Sequence, residues 1–386
     1  MVFLNLEKLL FRFKKKTHVL YVAKNKLMFN NIIDIHQAMK ADPLLVNIVC
    51  FAKPNLFSED EITNLKQAYQ LKTIPYKWAK YLNWDLIVFP DHNPEFRETC
   101  KKVYINHGIF TGVQFHGQYY EFSGGARNTK NEIIYDKIFV SSEYLEIELQ
   151  KRLPELNGII KSVGNIFIDE IINSKENKKR VFQTLNFNNK LKTIMLVSTW
   201  GDNSLIQSQG EQLLKQVASL SEHYNIILSL HLNCYRKEHS EGKDWLELLQ
   251  TCNRKNVFLV PPGGKIFDLF QYVDLYVADR TSLSLYFSIM QKPMVLFNND
   301  KLILNDLSLM KKIRAIVPLI DNIDILSVKT INAYIANFNK SELHKLSEYT
   351  SSYQGESLTR HVNEIYDTLN LNVPVSISIK INRNEK

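Results

Sequence analysis

The chain has 386 residues, of which 45% are hydrophobic and 23% charged, with a formal net charge of +8. That length accommodates two ordinary folded domains, and the composition excludes a disordered or fibrous chain. The positive surplus suits anionic partners such as nucleotides, nucleic acid or anionic lipid without choosing among them, and no run of 18 uncharged apolar residues exists to span a membrane.

In chain order, residues 1–16, MVFLNLEKLLFRFKKK, place Leu4, Leu9, Leu10, Phe11 and Phe13 on much of one helical surface, followed by Lys14, Lys15 and Lys16. The expectation is an amphipathic helix lying on an anionic membrane surface; the plainer alternative is a helix packed on the first domain with a solvated charge run behind it. Glu7 interrupts the apolar start too early for a signal peptide. Residues 17–23 and 44–52 then read as buried strands around a helix at 30–40, and Ser58 with Glu61 forms a capping-box pattern. Further short apolar runs at 85–91, 102–108 and 136–142 precede a helical interval at 143–153. Around 170–192 the composition turns polar and rich in Asn and Lys, which suits a linker. After it the rhythm restarts, with strands at 193–198, 225–230, 256–261, 274–279 and 293–297 and helices at 205–224, 242–252, 265–273 and 282–291.

Short, nearly continuous apolar strands alternating with helices predict parallel sheets covered on both faces. The expected organisation is an α/β chain with a Rossmann-like domain over 17–170, a linker over 171–192 and a second Rossmann-like domain over 193–330. Closing helices over 331–372 return to the N-terminal domain and a tail fills 373–386, with the two domains facing across a cleft. The cysteines, Cys50, Cys100, Cys234 and Cys252, have no CxxC spacing and read as reduced thiols of a cytosolic protein.

In open parallel sheets the ligand sits at the carboxyl ends of the strands. The residues there are Asn106-His107-Gly108, Ser141-Ser142, Thr199-Trp200-Gly201-Asp202-Asn203, His231-Leu232-Asn233, Pro262-Gly263-Gly264 and Asp279-Arg280-Thr281-Ser282. Thr281 and Ser282 open a helix after a buried strand, where backbone N–H groups and the helix dipole favour a phosphate; simple N-capping is the alternative. His107 and His231, each at a strand end, suit acid–base work near neutral pH or a hydrogen-bonded structural role. His116 lies in a glycine-rich segment, and the other histidines have no such context. No Walker motif, HExxH or paired Cys/His spacing is present, so no tightly held metal or cofactor is expected.

The ordered set INHG, STWGDNSL, LHLN, YVDLYVADRTSLSLYFSIMQKPMVLF and YQGESLTR resembles the CDP-glycerol glycerophosphotransferases, the teichoic-acid-type polymerases and primases of GT-B architecture, over roughly residues 100–365. The resemblance implies a transferase that moves a polyol phosphate, glycerol phosphate first, from a CDP-activated donor to a hydroxyl of a lipid-linked or oligosaccharide acceptor. The reduced thiols and the amphipathic start set the expectation of a cytoplasmic protein, peripheral on the inner face of the cytoplasmic membrane, and no nucleic-acid partner is expected. The resemblance makes His107 the general base, His231 the residue stabilising the departing nucleotide, and Asp279 the residue that orients its turn or meets the glycerol. Thr199 and Asn203 line the donor side, Thr281 and Ser282 hold phosphate, and Ser357 and Arg360 belong to the closing segment, where an arginine reaches phosphate.

The pattern also departs from the family. The usual Pro-Thr-Trp-Arg stands here as Ser198-Thr199-Trp200-Gly201, and the usual Thr-Asp-Tyr-Ser-Ser as Ala278-Asp279-Arg280-Thr281-Ser282. Ile109-Phe110-Thr111-Gly112 replaces Thr-Pro-Leu-Lys after the first histidine, and Leu232 replaces the proline after the second. The competing readings are a GT-B glycosyltransferase using a nucleotide sugar, a nucleotide-sugar epimerase, and a catalytically inactive relative.

Overall fold

The computed structural model describes residues 16–52, 57–91, 95–106, 108–109, 130, 132–174, 178–240, 242–250, 254–262, 264, 266–299, 302–304, 306–375 and 377. The 1–16 helix expectation and His107 therefore fall wholly or almost wholly outside the described residues. These residues form two compact units. The first comprises those up to residue 109, those of 130–169 and those from Ser351 onward; the second runs from Glu170 to Thr350.

The first unit is built on a six-stranded parallel sheet. Its strands are β1 (Thr17–Ala23), β2 (Leu45–Phe51), β3 (Leu86–Phe89), β4 (Lys101–Ile105), β5 (Lys137–Val140) and β6 (Ile160–Ser162), in the order β2-β1-β3-β4-β5-β6. Six of the seven residues of β1 are buried, which is why its run is apolar without alternation. The helix Lys26–Met39 is capped by Asn25, and the helix Glu59–Ala68 carries the expected Ser58/Glu61 capping box. The helix Ser357–Leu369 belongs to this unit: Val362, Ile365 and Tyr366 enter its apolar core, and the Tyr366 hydroxyl donates to Asp42 at 2.8 Å. Lys101 caps that helix's last turn through its Nζ and the carbonyl of Thr368.

The second unit repeats the architecture with β7 (Thr193–Ser198), β8 (Asn225–Leu230), β9 (Val257–Leu259), β10 (Leu275–Ala278), β11 (Met294–Phe297) and β12 (Leu319–Ile320), ordered β12-β11-β10-β7-β8-β9 and all parallel. The helix Leu205–Leu220 packs Leu213 and Val217 into a core shared with Ile194, Leu196, Ile226 and Val277. Within the interval 171–192, the helix Lys178–Thr184 buries Val181 and Phe182, and Phe182 meets Tyr272 edge-on at 5.8 Å. The helix Lys340–Thr350 stays with this second unit. Two expected helices are shorter or tighter than the sequence suggests. Residues 267–272 form a 3-10 turn, and the helix after β10 spans only Leu283–Ser288. No helix among the described residues is long and apolar enough to cross a membrane.

Each sheet has one point where the chain reverses its order of winding. In the first it lies between β1 and β3, and in the second between β7 and β10. Crevices at such points, outside the carboxyl ends of the strands, are where open α/β sheets bind ligands.

Candidate active site

The second unit's switch point is organised by Asp279, the residue after β10. It is 1% exposed and both of its oxygens are occupied. The Thr199 N–H reaches Oδ1 and Oδ2 at 3.0 Å, while the Ser198 hydroxyl and the Leu205 N–H each reach Oδ2 at 2.8 Å. Ser198 Oγ in turn accepts the N–H of Ile206 at 2.9 Å. One carboxylate thus ties the end of β10 to the exit of β7 and to the first turn of the helix Leu205–Leu220, satisfying helix donors that have no intrahelical acceptor. Burial pushes the Asp279 carboxyl's pKa up, and the N–H groups of Leu205 and Thr199 and the Ser198 hydroxyl pull against that rise. Of the two roles the resemblance offers Asp279, this geometry matches the orienting one.

The loop that leaves β7 follows from this latch. Gly201 adopts φ +89°, a conformation that disfavours side-chain-bearing residues, and its carbonyl accepts the Ser204 N–H. Asn203 presents its carbonyl to Asn299 Nδ2 at 2.7 Å. Thr199 is nearly buried, and its carbonyl accepts from the Cys234 thiol at 3.3 Å. The desolvated thiol of Cys234 is pushed up to about 12, so it is a neutral donor rather than a nucleophile.

His231 stands at the exit of β8, and its backbone N–H donates to Ser198 O. Its Nδ1 accepts the Asn233 N–H at 3.1 Å, so the neutral ring carries its proton on Nε2. Packing around the ring, and next the Arg280 charge, push its pKa down. The residue keeps a solvent-exposed side that moderates the first effect. The ring lies 6.1 Å from Trp200, which also meets His239 at 5.3 Å.

Thr281 Oγ1 accepts the Leu283 N–H at 3.3 Å, the capping role, while the Ser282 side chain makes no cap bond. The structure therefore gathers Thr199, Asn203, His231, Asp279, Thr281 and Ser282 at the carboxyl edge of one sheet. Two cations that sequence reasoning did not assign stand at the same edge. Arg280 donates from Nη2 to Trp200 O at 3.0 Å; Arg314 donates to Phe297 O and Asn298 Oδ1. Arg280 was visible as a strand-end residue, whereas Arg314 sits in the last turn of the helix Leu309–Ile316, away from the strand ends that the sequence marks.

Ser357 and Arg360 belong to the first unit. Ser357 is fully buried, and its N–H, with that of Gly355, is taken by Asp169. A Cβ on Gly164 would collide with the Ser357 hydroxyl, so that hydroxyl is packed against backbone instead of facing solvent. The Arg360 guanidinium lies 3.2 Å from the Tyr353 ring centroid and pairs with Glu356 at 3.5 Å. Next in sequence to His107, which lies outside the described residues, Asn106 Oδ1 accepts the Gly108 N–H, and among the described residues nothing lies within 4 Å of where a Gly108 side chain would start. At the first sheet's own switch point Lys24 and Asp91 form an ion pair at 3.0 Å, a pairing the sequence did not suggest.

Comparison with known proteins gives the family and the fold. The family model for CDP-glycerol:poly(glycerophosphate) glycerophosphotransferase matches residues 2–303. The teichoic acid glycerol-phosphate primase of Bacillus subtilis (strain 168) is 24% identical over 241 residues, 61% of this chain and 58% of that protein, so the match spans a little over half of the relative's length. A variant of the wall teichoic acid polymerase TagF has the same fold, with a TM-score of 0.61, 14% identity and coverage of 98% of this chain and 94% of that one. The S. aureus MnaA–UDP structure is similar at a TM-score of 0.59 and 12% identity, covering 92% and 98% of the two chains. With a family model matched over most of its length, this two-unit Rossmann-like chain belongs to the CDP-glycerol:poly(glycerophosphate) glycerophosphotransferase family.

Proposed function

We propose that the protein transfers glycerol phosphate from CDP-glycerol to a hydroxyl of a lipid-linked or growing surface-polymer acceptor. The observation that carries this reading is the Asp279 latch. It fixes, at the second sheet's switch point, an edge that combines a neutral Nε2–H donor on His231, two arginines and the start of a helix. Phosphoryl transfer asks for this combination of positioning and charge stabilisation and for no cofactor beyond the donor.

In the transfer, the acceptor oxygen bonds to the phosphorus that bears glycerol as the bond to the CMP oxygen breaks. His107 takes the acceptor's proton, a role assigned from the resemblance. His231 donates to the phosphate of the departing CMP, where negative charge builds as that bond breaks. Asp279 acts as a positioning residue, and Thr199, Asn203, Thr281 and Ser282 line the donor side. The family membership and a TagF structure obtained after a CDPG soak, 15% identical to this chain, support the choice of donor.

The test is to incubate pure protein with CDP-glycerol, CDP-ribitol and UDP-sugars and identify the released nucleotide. CMP release from CDP-glycerol in the presence of an acceptor supports the reading. UDP release with a new glycosidic bond would replace it by glycosyl transfer, and UDP with an altered free sugar by epimerisation. Residues 1–16 are proposed to hold the protein on anionic membrane; equal binding of full-length and truncated protein to phosphatidylglycerol vesicles would rule that out.

A further inference from the structure

Arg280 comes from β10, yet its guanidinium lies at the exit of β7. Nη2 donates to Trp200 O at 3.0 Å and stands 3.5 Å from where a side chain on Gly201 would begin. Gly201 has φ +89°, a conformation that a side-chain-bearing residue there would resist, and the cation at this loop arrives from the end of the neighbouring strand. The guanidinium is half-buried at the switch point, beside the loop that the Asp279 latch fixes, and near enough to His231 to bias that ring towards its neutral form. A planar guanidinium has five N–H donors in a fork that matches phosphate oxygens.

We infer that Arg280 contacts the diphosphate of the nucleotide donor and is the residue through which this chain distinguishes a nucleoside diphosphate from a nucleoside. The carbonyl of Trp200 accepts from one nitrogen of the fork and so sets its direction, and Gly201 places no side chain beside it. The inference rests on the transfer reading, because it takes the donor to carry a diphosphate at this edge.

The experiment measures the affinity of CDP-glycerol and of CDP by calorimetry, and of cytidine by ligand-observed NMR, for the wild-type protein, Arg280→Gln and Arg280→Lys. Loss of a charge-assisted contact should weaken CDP and CDP-glycerol by about 10- to 100-fold in Arg280→Gln, with cytidine unchanged and Arg280→Lys in between. The His231 ring titration, followed by NMR, should also move upward in Arg280→Gln once the neighbouring charge is gone. If Arg280 merely tethers the β7 loop, CDP and cytidine will weaken together, and that result overturns the inference. Wild-type binding of CDP-glycerol that persists undiminished in Arg280→Gln also overturns it while leaving the transfer reading intact. No binding of CDP-glycerol by the wild-type protein removes both. Should Arg280→Gln fail to fold, the CDP-to-cytidine ratio in Arg280→Lys decides alone: a ratio equal to wild type counts against the inference and a reduced ratio for it.

Discussion

Replacing Asp279 by alanine tests the latch on which the site depends. The substitution leaves the N–H groups of Thr199 and Leu205 buried without their acceptor, while the Ser198 hydroxyl can turn to the Thr199 carbonyl 3.0 Å away. Each such group costs roughly 1–3 kcal/mol, and water entering the vacated space recovers part of it, so the net loss should be about 3–4 kcal/mol. The effect is local to the second unit, which makes a single melting curve a poor readout for a two-unit chain. Hydrogen exchange by mass spectrometry resolves it. Peptides covering residues 199–206 should exchange roughly 10²–10³-fold faster, the factor expected from such a loss at about 1.4 kcal/mol per tenfold. Peptides from β1 and β2 serve as the internal control and should be unaffected. Asp279→Asn should fall between, because its carbonyl keeps one donor while its amide faces another. Unchanged protection at 199–206, or equal acceleration in both units, would show that the carboxylate does not hold the two strand ends together.

Three further outcomes follow from the geometry. A Cβ on Gly210 would meet the Trp245 ring, so Gly210→Ala should destabilise by about 1–3 kcal/mol despite alanine's better helix propensity, read as a lower denaturant midpoint for Trp245 fluorescence. His36 and His361 are buried in the first unit, and burial foremost pushes both pKa values down to about 4. The unfolded chain, with a histidine pKa of about 6.5, therefore binds more protons below that pH, and stability present above it should fall as pH drops from about 6.5 towards 4; His361→Asn should flatten the slope in pH-dependent denaturation. His231→Gln should lower turnover by roughly 10²–10³-fold with a smaller loss of donor affinity, measured by CMP release and calorimetry, because the donor it removes matters most as charge builds on the leaving group.

The central strands were legible because burial on both faces leaves a continuous apolar run. The runs at 17–23, 193–198 and 225–230 coincide with β1, β7 and β8. The strands β6 and β12 were not anticipated. They are three and two residues long at sheet edges, and a stretch such as Ile160-Lys161-Ser162 has no periodicity to detect. The helix expected at 265–273 became a 3-10 turn. Its apolar residues Leu269, Phe270 and Tyr272 are all buried, so an apolar pattern alone could not distinguish the two kinds of helix.

The site divides along a similar line. A strand end is a local property of the chain, so Thr199, His231, Asp279 and Thr281 could be marked from sequence. What each side chain does there depends on partners far away. Asp279 works through residues 74 to 81 positions earlier, and Arg280 through a carbonyl 80 positions earlier. The same dependence accounts for Ser357. In sequence it sits in a segment that resembles the family's closing one, but the fold turns it against Gly164 and hands its N–H to Asp169. Motif position thus identifies which edge of which sheet is chemically equipped. The direction of each side chain at that edge is set by β7–β10 pairing, which aligns Val197 with Ala278 and so brings Thr199 and Asp279 within hydrogen-bonding reach. A substitution that shifted this register by one residue would leave every motif intact in the sequence and dismantle the site, because successive strand residues point to opposite faces.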